Sequence, residues 1–391
     1  MNPAMAPIHV LIKPIGAQCN LRCDYCFYLG KNALYANRSR TSLRMSDELL
    51  ETAIRRIIDA RAPGQHTVEF AWQGGEPSLM GIGFFEKAVA LQKKIAPAGL
   101  RITNTFQTNG VLIDDGFARF FRDHGFLVGI SIDGPQELHD RFRRDANGNG
   151  SFTAVMAGIE ALNRHGVDYN LMTVVQSDNA EHPEAVYGFL QRLGSPFIQF
   201  IPIVEPDPAG GVSPRTVSAA QWGEFLTRVF HLWRKQDIGR TFVQHFDMML
   251  GITLGHPATL CVHAQTCGRA LALEHNGDLY SCDHFVDTAH CLGNLGEQSL
   301  RELADGARQA RFGMDKGTPL PDTCRRCHFL RFCHGGCPKD RLIATGSGRL
   351  NWLCEGYQRF YSESTPFFAA MGDALRRGLP AADYREFLKN A

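Results

Sequence analysis

Cys19-Asn20-Leu21-Arg22-Cys23-Asp24-Tyr25-Cys26 is the stretch around which the remainder of the chain is arranged. Its cysteines follow one another at spacings of four and three residues, directly after an apolar run, His9-Val10-Leu11-Ile12-Lys13-Pro14, that predicts a strand. Three thiolates in one loop predict a metal centre with one open coordination position, because an iron–sulfur cluster takes four ligands and cysteine is the usual one. The alternative is a set of buried or zinc-binding cysteines.

Composition sets the outer limits. A chain of 391 residues with 44% hydrophobic and 21% charged residues is typical of a globular protein of two or three domains. The net charge of +1 indicates neither a nucleic-acid partner nor an anionic membrane surface, and the basic cluster Arg141–Arg144 is flanked by Asp140 and Asp145. Because the sequence shows no signal peptide and no apolar run of the ~20 residues that a membrane-spanning helix needs, we predict a cytoplasmic protein.

The distribution of the cysteines is informative. The chain has twelve cysteines, and none of them lies between Cys26 and Cys261. In a reducing compartment such residues are more often metal ligands or catalytic groups than disulfides. The gap divides the chain into a cysteine-poor body and a cysteine-rich C-terminal region.

The body alternates between strand and helix patterns, which predicts a parallel sheet with helical crossovers. A helix is predicted from Ser46, which is a suitable N-cap. The predicted strands are Val10–Ile15, Thr67–Trp72, Arg101–Gln107, Phe126–Ile132, Asp168–Val175 and Phe197–Val204, and the other predicted helices are Gly83–Ile95, Asp114–His124, Phe152–His165, Pro183–Leu193 and Ala219–Gln236. The last helix has an apolar stripe that we predict to be core: Trp222, Phe225, Leu226, Val229, Phe230 and Trp233.

Ligands of parallel α/β folds lie beyond the C-terminal ends of the strands, so the residues after each strand are the candidate binding residues. Those after the second strand are Gln73-Gly74-Gly75-Glu76-Pro77, in which two glycines allow the backbone to approach a ligand. An ordinary β-turn is the alternative. The other strand-end segments are Thr108–Gly110, Asp133–Pro135 and Glu205–Pro208.

The C-terminal region supplies a second group of cysteines. Asn276-Gly277 predicts a hairpin that carries Cys282 towards Cys261 and Cys267. With Cys291 set aside as a free thiol that fits no spacing, eight cysteines remain, enough for two four-cysteine sites: Cys261, Cys267, Cys282, Cys324, Cys327, Cys333, Cys337 and Cys354. Spacing by itself does not separate zinc from iron–sulfur clusters at these sites.

The cysteine loop resembles that of the radical SAM superfamily, and the later cysteines resemble the SPASM extension. From residue 8 to about residue 360 the chain is similar to the anaerobic sulfatase-maturating enzymes. The resemblance implies an α/β fold, a partial (β/α)6 TIM-type barrel at residues 1–240, and a SPASM domain with a C-terminal helix at residues 241–391. It further implies three [4Fe–4S] clusters and S-adenosyl-L-methionine (SAM). The ligand sets so implied are Cys19, Cys23 and Cys26; Cys261, Cys267, Cys282 and Cys337; and Cys324, Cys327, Cys333 and Cys354.

The resemblance also implies roles for individual residues. Backbone carbonyls of Gly74, Gly75 and Glu76 would bind the SAM amino group, and Ser131 and Arg143 its ribose and carboxylate. Two residues are expected near adenine: Tyr28, for which a core tyrosine is the alternative, and Val204, which would touch adenine only through generic groups. Gln73, which directly precedes Gly74, is grouped with the cofactor-binding residues, and its amide is expected to orient the substrate.

Asp283, next to Cys282, matches the position of a general base, the alternative being a hydrogen-bonded turn residue. The implied activity is oxidation of a cysteine or serine to 3-oxoalanine (formylglycine) in a sulfatase peptide of the type Cys/Ser-x-Pro-x-Arg, with flavodoxin or ferredoxin as electron donor. Two alternatives are a SPASM enzyme that crosslinks a ribosomal peptide through thioether or carbon–carbon bonds, and a module that binds zinc or clusters without catalysis. The start of the first strand by about residue 8 leaves no room for an N-terminal peptide-recognition domain, which favours sulfatase maturation.

Overall fold

The computed structural model describes residues 7–35 and 43–388, which form two compact units. Among the described residues, the first unit comprises 7–35, 43–131, 140–169 and 268–314, and the second comprises 132–139, 170–267 and 315–388. The predicted boundary at residue 240 falls inside the second unit, and as a boundary between sequence domains it stays a prediction.

The first unit contains four parallel strands in chain order, joined by helices. The strands are β1 (His9–Lys13), β2 (Thr67–Trp72), β3 (Arg101–Thr108) and β4 (Phe126–Ser131), and the helices that belong to them are α1 (Asp47–Asp59), α2 (Ile82–Ile95), α3 (Asp115–His124) and α5 (Phe152–His165), with the short α4 (Gln136–His139) assigned to the second unit. The parallel pairing brings the C-terminal ends of all four strands to one edge of the sheet. The cysteine loop leaves from that edge.

Three further strands extend this sheet on the other side of β1. They are β8 (Ala270–Glu274), parallel to β1, then β9 (Asp278–Tyr280) and β10 (Cys291–Asn294), each antiparallel to its neighbour. Gly277 has a φ of 90°, so the predicted Asn276-Gly277 hairpin is confirmed. Two short helices complete the unit, α9 (Leu300–Ala304) and α10 (Ala307–Met314). The hairpin therefore places Cys282 and Asp283 just beyond a strand of the sheet that contains β1.

The second unit contains the remaining parallel strands and the C-terminal helices. Its strands are β5 (Tyr169–Val175), β6 (Phe197–Pro202) and β7 (Phe242–Val243), and a separate hairpin is formed by β11 (Ile343–Thr345) and β12 (Gly348–Leu350). Its remaining helices are α6 (Pro183–Gln191), α7 (Ala219–Gln236), α8 (Gln244–Thr253), α11 (Asp322–Arg325), α12 (Leu330–Cys333) and α13 (Cys354–Arg376). Within the described part of the chain, no helix combines the length and apolar content that crossing a membrane requires.

The predicted elements of the body are all present, with small differences at their ends. The bounds of β2, α5 and α7 are those predicted, and the Ser46 side chain accepts a hydrogen bond from the Leu49 backbone N–H, which confirms the predicted N-cap. The first strand ends at Lys13 instead of Ile15 because the chain turns there, with Gly16 at a φ of 57°. The apolar stripe of α7 is buried, as predicted.

Helices α7 and α13 approach each other through two glycines of the second unit. A Cβ added to Gly356 would lie 2.1 Å from the Ala219 carbonyl oxygen, and one added to Gly223 would lie 2.8 Å from the Gly356 Cα. Neither position has room for a methyl group, because the atoms it would meet belong to backbone.

We therefore predict that Gly356→Ala destabilises the protein by about 1–3 kcal/mol, the usual cost of overpacking. The matched control is Gly188→Ala on α6, where the nearest atom to the new methyl group lies 3.8 Å away. The control should unfold at the same or a higher temperature, since alanine is favoured over glycine in a helix by roughly 0.5–1 kcal/mol. Thermal unfolding checks this, and equal midpoints for the two variants would contradict the packing argument.

Candidate active site

The cysteine loop is held against residues 142–145 of the first unit by one isolated β-bridge and two backbone hydrogen bonds. The Arg22 backbone N–H donates to the Arg144 carbonyl at 2.7 Å, the Asp24 N–H donates to the Phe142 carbonyl at 3.2 Å, and Leu21 forms an antiparallel bridge with Asp145. All three cysteines of the loop are partly accessible. The loop is thus fixed by its backbone, which leaves the thiols available as ligands.

The Cys19 sulfur is surrounded by hydrogen-bond donors. It accepts from the Leu21 backbone N–H at 3.3 Å and from the Asn109 side-chain amide at 3.5 Å. Burial raises the pKa of the Cys19 thiol to about 12, with the hydrogen bond from Leu21 acting in the other direction. A thiol that loses its proton on binding a metal is stabilised by the charge of that metal and by such donors, so this environment fits a ligand of an iron–sulfur cluster.

Three charged side chains act on the Cys26 thiol: those of Arg143, Lys13 and Asp283. Burial raises the pKa of the Cys26 thiol, while the cations of Arg143 and Lys13 lower it and the Asp283 carboxylate raises it. Arg143 itself is 7% exposed and its guanidinium carbon lies 5.4 Å from the centre of the Tyr25 ring. The predicted SAM-binding arginine and the predicted base therefore both lie within electrostatic reach of the cysteine loop.

The Gly-Gly-Glu-Pro turn lies directly against the cysteine loop. The Gly75 N–H donates to the Gly16 carbonyl at 2.7 Å, and the Glu76 N–H donates to the Gln18 carbonyl at 2.8 Å. A Cβ at Gly75 would lie 1.9 Å from the Gln18 oxygen, so only glycine fits there. The close approach that requires this glycine is thus one between two segments of the chain. Binding of the SAM amino group by carbonyls of this turn stays a prediction.

Glu76 is fully buried, and its carboxylate points into the protein. One oxygen, Oε1, accepts from the Ser78 N–H at 3.0 Å, the Ser78 hydroxyl at 2.6 Å and the Thr108 hydroxyl at 2.8 Å, and the other, Oε2, accepts from the Asn109 N–H at 2.7 Å. Burial raises the pKa of Glu76, and these donors lower it. Asn109 continues the connection, since its amide donates to Asn20 at 2.8 Å as well as to Cys19. The sequence indicated the segment after β3 as a candidate, but not the contact between Asn109 and Cys19.

The remaining predicted cofactor residues differ in their surroundings. Ser131 is the last residue of β4 and is 9% exposed, whereas Val204 lies in the second unit, buried just beyond β6. Tyr28 is 2% exposed, and its hydroxyl donates to the Glu274 carboxylate. Packing of Tyr28 on adenine stays a prediction, because the structure shows this ring inside the core of the first unit. Gln73 is partly buried, and its N–H donates to the Ile12 carbonyl at 2.9 Å.

Asp283 forms an ion pair with the last residue of β1. The Lys13 Nζ lies 2.5 Å from the Asp283 Oδ1, and the two side chains are 1% and 16% exposed. The same ammonium group lies 3.9 Å from the centre of the Tyr28 ring, and the Tyr28 hydroxyl donates a hydrogen bond to the Glu274 carboxylate. The parallel register of β1 and β8 pairs Lys13 with Glu274 and so brings these groups together. Sequence reasoning missed the role of Lys13, although a lysine that ends an apolar strand was a visible signal.

Four cysteines of the second unit line one cavity, together with Tyr357, Gln358 and Tyr361. They are Cys324, Cys327, Cys333 and Cys354, the predicted second auxiliary set. Burial, with smaller contributions from the three other thiols and Glu355, raises the pKa of Cys354 to about 12. The Gln358 amide lies 3.8 Å from the Cys354 sulfur and 4.0 Å from the Cys327 sulfur. Four thiols around one cavity with an amide donor beside them fit a cluster held by four cysteines.

The first auxiliary set is divided between the units. Cys261, Cys267 and Cys337 belong to the second unit, and Cys282 belongs to the first. Burial is the largest effect on the pKa of Cys267 and raises it. The Lys316 cation lowers this pKa and the Cys261 thiol raises it, which indicates that Cys261, Cys267 and Lys316 are neighbours. Within residues 7–35 and 43–388, no three His, Cys, Asp or Glu side chains converge closely enough to hold a single metal ion.

Cys291 belongs to none of the predicted ligand sets, although β10 pairs it with Tyr280, two residues before Cys282. It packs with Cys26 against a buried cluster of the first unit that consists of Ala17, Tyr28, Ala272, Tyr280 and Val286. Burial raises the pKa of the Cys291 thiol. Its position in β10 is that of a partly buried packing residue, consistent with its exclusion from the predicted ligand sets.

Comparison with known proteins identifies the class. The model of the radical SAM superfamily matches residues 14–190, and that of the SPASM iron–sulfur cluster-binding domain matches residues 261–328. The chain is therefore a radical SAM protein with a SPASM domain, and both domains imply iron–sulfur clusters and, for the first, SAM.

Full-length relatives narrow this to a family. A serine-type anaerobic sulfatase-maturating enzyme of Bacteroides thetaiotaomicron is 41% identical over 405 residues, covering 99% of this chain and 97% of that protein. A cysteine-type enzyme of Clostridium novyi (strain NT) is 34% identical over 366 residues, covering 92% and 96%. The chain belongs to the anaerobic sulfatase-maturating enzymes.

A solved structure supports the fold. Native anSMEcpe with bound AdoMet and Kp18Cys peptide superposes with a TM-score of 0.84 at 32% identity, covering 94% of this chain and 99% of that chain. The predicted α/β radical SAM fold with a SPASM domain is confirmed by this match.

The Glu76 hydrogen bonds lead to a stability prediction. In Glu76→Gln the amide oxygen keeps the three bonds made by Oε1, and the NH₂ group then faces the Asn109 N–H, so one bond is replaced by two opposed donors. We expect a loss of about 1–3 kcal/mol, the usual cost of an unsatisfied buried donor, and a lower iron content at the Cys19 loop.

Chemical unfolding and iron analysis of the reconstituted protein check this prediction. The matched control is Thr108→Ser, which keeps the hydroxyl that donates to Glu76 Oε1 and accepts from the Gly110 N–H, so its effect should be smaller. Wild-type stability of Glu76→Gln would show that the carboxylate does not hold Asn109 in place.

Proposed function

We propose that this protein oxidises the Cβ of a serine or cysteine in a sulfatase peptide to 3-oxoalanine, and so matures sulfatases without oxygen. The observation that carries the proposal is the placement of Asp283: it follows the predicted cluster ligand Cys282, pairs with buried Lys13, and lies within electrostatic reach of Cys26. A base held there can act on a substrate that is oxidised beside the cysteine loop.

The proposal assigns three [4Fe–4S] clusters to the three cysteine sets, with the ligands given by the resemblance. Cys19, Cys23 and Cys26 would leave one position open for SAM, and Gly74, Gly75, Glu76, Ser131, Arg143, Tyr28 and Val204 would contact it. When bound, these groups would supply the one-electron chemistry that removes a hydrogen atom from the substrate Cβ and takes up the electron that remains.

The side chains of the protein account for the rest of the reaction. Conversion of a serine CH₂OH group to an aldehyde removes one hydrogen atom from carbon, one proton from oxygen and one electron. Asp283 receives the proton, directly or through one water molecule, and Lys13 holds the carboxylate in position through the ion pair. With cysteine as substrate the same three losses give a thioaldehyde, which water hydrolyses to 3-oxoalanine. Gln73 orients the substrate through its amide.

Several partners follow from this reaction. The substrate is an unfolded or nascent sulfatase segment of the type Cys/Ser-x-Pro-x-Arg, and the electron donor is a flavodoxin or ferredoxin of the cytoplasm. We propose serine as the preferred target, because the serine-type relative is 41% identical to this chain and the cysteine-type relative 34%.

The role of Asp283 is tested by Asp283→Asn. The amide cannot take up the substrate proton, so we expect formation of 3-oxoalanine to fall by about 10²–10⁴-fold, the usual contribution of a general base. Iron content and SAM cleavage should be retained. Asp287→Asn is the matched control, since Asp287 is on the same segment, is 42% exposed and pairs with His290. Mass spectrometry of the peptide product gives the result, and a full yield from Asp283→Asn would refute the assigned base.

The substrate preference is tested with paired peptides that differ only in the target residue, Ser-x-Pro-x-Arg and Cys-x-Pro-x-Arg. Anaerobic reconstituted enzyme with SAM and a chemical reductant should convert the serine peptide at the higher rate. A faster reaction of the cysteine peptide would reverse the preference. Conversion of neither peptide, with SAM cleavage intact, would overturn the proposed function.

A further inference from the structure

A five-residue segment of the second unit joins the two predicted auxiliary sites. We name Cys333-His334-Gly335-Gly336-Cys337 the strap, because Cys333 lies in the second auxiliary set and Cys337 in the first. Its three middle residues have φ values of 45°, 74° and 64°. His334 is the one non-glycine residue with a positive φ in the described part of the chain, so the strap holds a conformation that costs energy and that its surroundings must maintain.

Arg341 binds the carbonyl groups of all three middle residues. Its Nε donates to the Gly335 oxygen at 3.1 Å, and its Nη2 lies 3.3 Å from the His334 oxygen and 3.4 Å from the Gly336 oxygen. The Arg341 side chain is buried, with the residue 7% exposed. A planar guanidinium with fixed donors is suited to holding several carbonyl groups at once, which an ammonium on a flexible chain does less rigidly.

The strap also has no free space around it. A Cβ at Gly335 would lie 2.3 Å from the Leu320 Cδ2, and one at Gly336 would lie 2.3 Å from the Asn351 Nδ2. The two glycines are therefore required both by their backbone angles and by close packing. Together with Arg341, these contacts determine where Cys333 and Cys337 lie relative to each other.

The charge of Arg341 acts on both auxiliary sets. Burial lowers the pKa of Arg341, and four thiols raise it, those of Cys324 and Cys333 in the second set and those of Cys337 and Cys267 in the first. One buried cation thus lies within electrostatic reach of ligands of both predicted clusters.

Lys316 offers a comparison, because the carbonyl groups that it binds all belong to the segment that begins with Cys261 of the first set. This fully buried lysine donates to the backbone carbonyls of Cys261, at 2.7 Å, Val262, at 3.2 Å, and Ala264. Burial lowers the pKa of Lys316, and the thiols that raise it are those of Cys267, Cys261 and Cys337. The two buried cations of this region therefore differ in which cysteine sets they face.

We propose that Arg341 is a positioning residue that couples the two auxiliary sites: it holds the strap between them and sets the reduction potentials of both clusters with one positive charge. The inference rests on the proposed function in that it requires both auxiliary clusters. A nearby cation stabilises the more negative, reduced form of a cluster and raises its potential. Raising both potentials together favours acceptance of the electron that leaves the substrate.

The test compares Arg341→Gln, Lys316→Gln and Arg325→Gln in the full-length, anaerobically reconstituted protein. Redox titration followed by electron paramagnetic resonance gives the potentials, with each auxiliary signal assigned by replacing one ligand of its set with alanine. Arg341→Gln should lower both auxiliary potentials, each by at least a tenfold change in the reduction equilibrium, which is about 59 mV for a one-electron step. Lys316→Gln should lower only that of the first set. Arg325→Gln, an exposed residue paired with Asp322 next to Cys324, should change neither.

Unchanged potentials in Arg341→Gln, or a change at one auxiliary cluster alone, would overturn the proposal. If Arg341→Gln holds less iron than the wild type, the potentials of Arg341→Lys, which keeps the charge, decide: wild-type auxiliary potentials support the role of the charge, and lowered potentials refute it. The potentials are measured without peptide. If the variants show the expected shifts but the wild-type enzyme oxidises no peptide, the proposed function is contradicted and this inference stands.

Discussion

The buried pair between Lys13 and Asp283 is the interaction on which the arrangement of the first unit depends. Lys13 ends β1, the strand from which the cysteine loop departs, and Asp283 follows the hairpin that pairs with β1 through β8. A lysine that is 1% exposed requires a partner, because burial of an unpaired ammonium group is strongly unfavourable. The pair therefore connects the predicted site of SAM to the segment that carries the predicted base, and the parallel register of the two strands makes the connection possible.

Buried cations also hold the cysteine-bearing segments of the second unit in place. Backbone carbonyls are gathered around buried cations, by Arg341 at the strap and by Lys316 at the segment that begins with Cys261. Each cation donates hydrogen bonds to three carbonyl groups, and each places positive charge near thiols that would become thiolates on binding iron. The same groups thus contribute to the fold and to the electrostatics of the sites.

Prediction from the sequence succeeded where the signal was local. The Ser46 cap, the Asn276-Gly277 hairpin and the buried stripe of α7 each depend on residues a few positions apart, so their spacing alone is sufficient. Prediction from the sequence was incomplete where the interacting residues are distant from each other along the chain. Nothing local indicates that Glu76 points inward to Thr108 and Asn109, or that Gly75 is required by the Gln18 backbone instead of by a ligand.

The sequence by itself determined the alternation of strands and helices, the position of the cysteine loop after β1, and the inventory of thiols, because these follow from periodicity, turn residues and spacing. The tertiary structure decided what surrounds them. It set Asn109 against the Cys19 sulfur, Lys13 against Asp283, and Arg341 between two cysteine sets. The three cysteines that are the predicted cluster ligands in the loop Cys19–Cys26 can be read from the sequence. The hydrogen bonds to this loop and the charges near it come from strands that only folding brings together. Electrostatic interactions depend on distance through space, and spacing along the chain does not contain that distance.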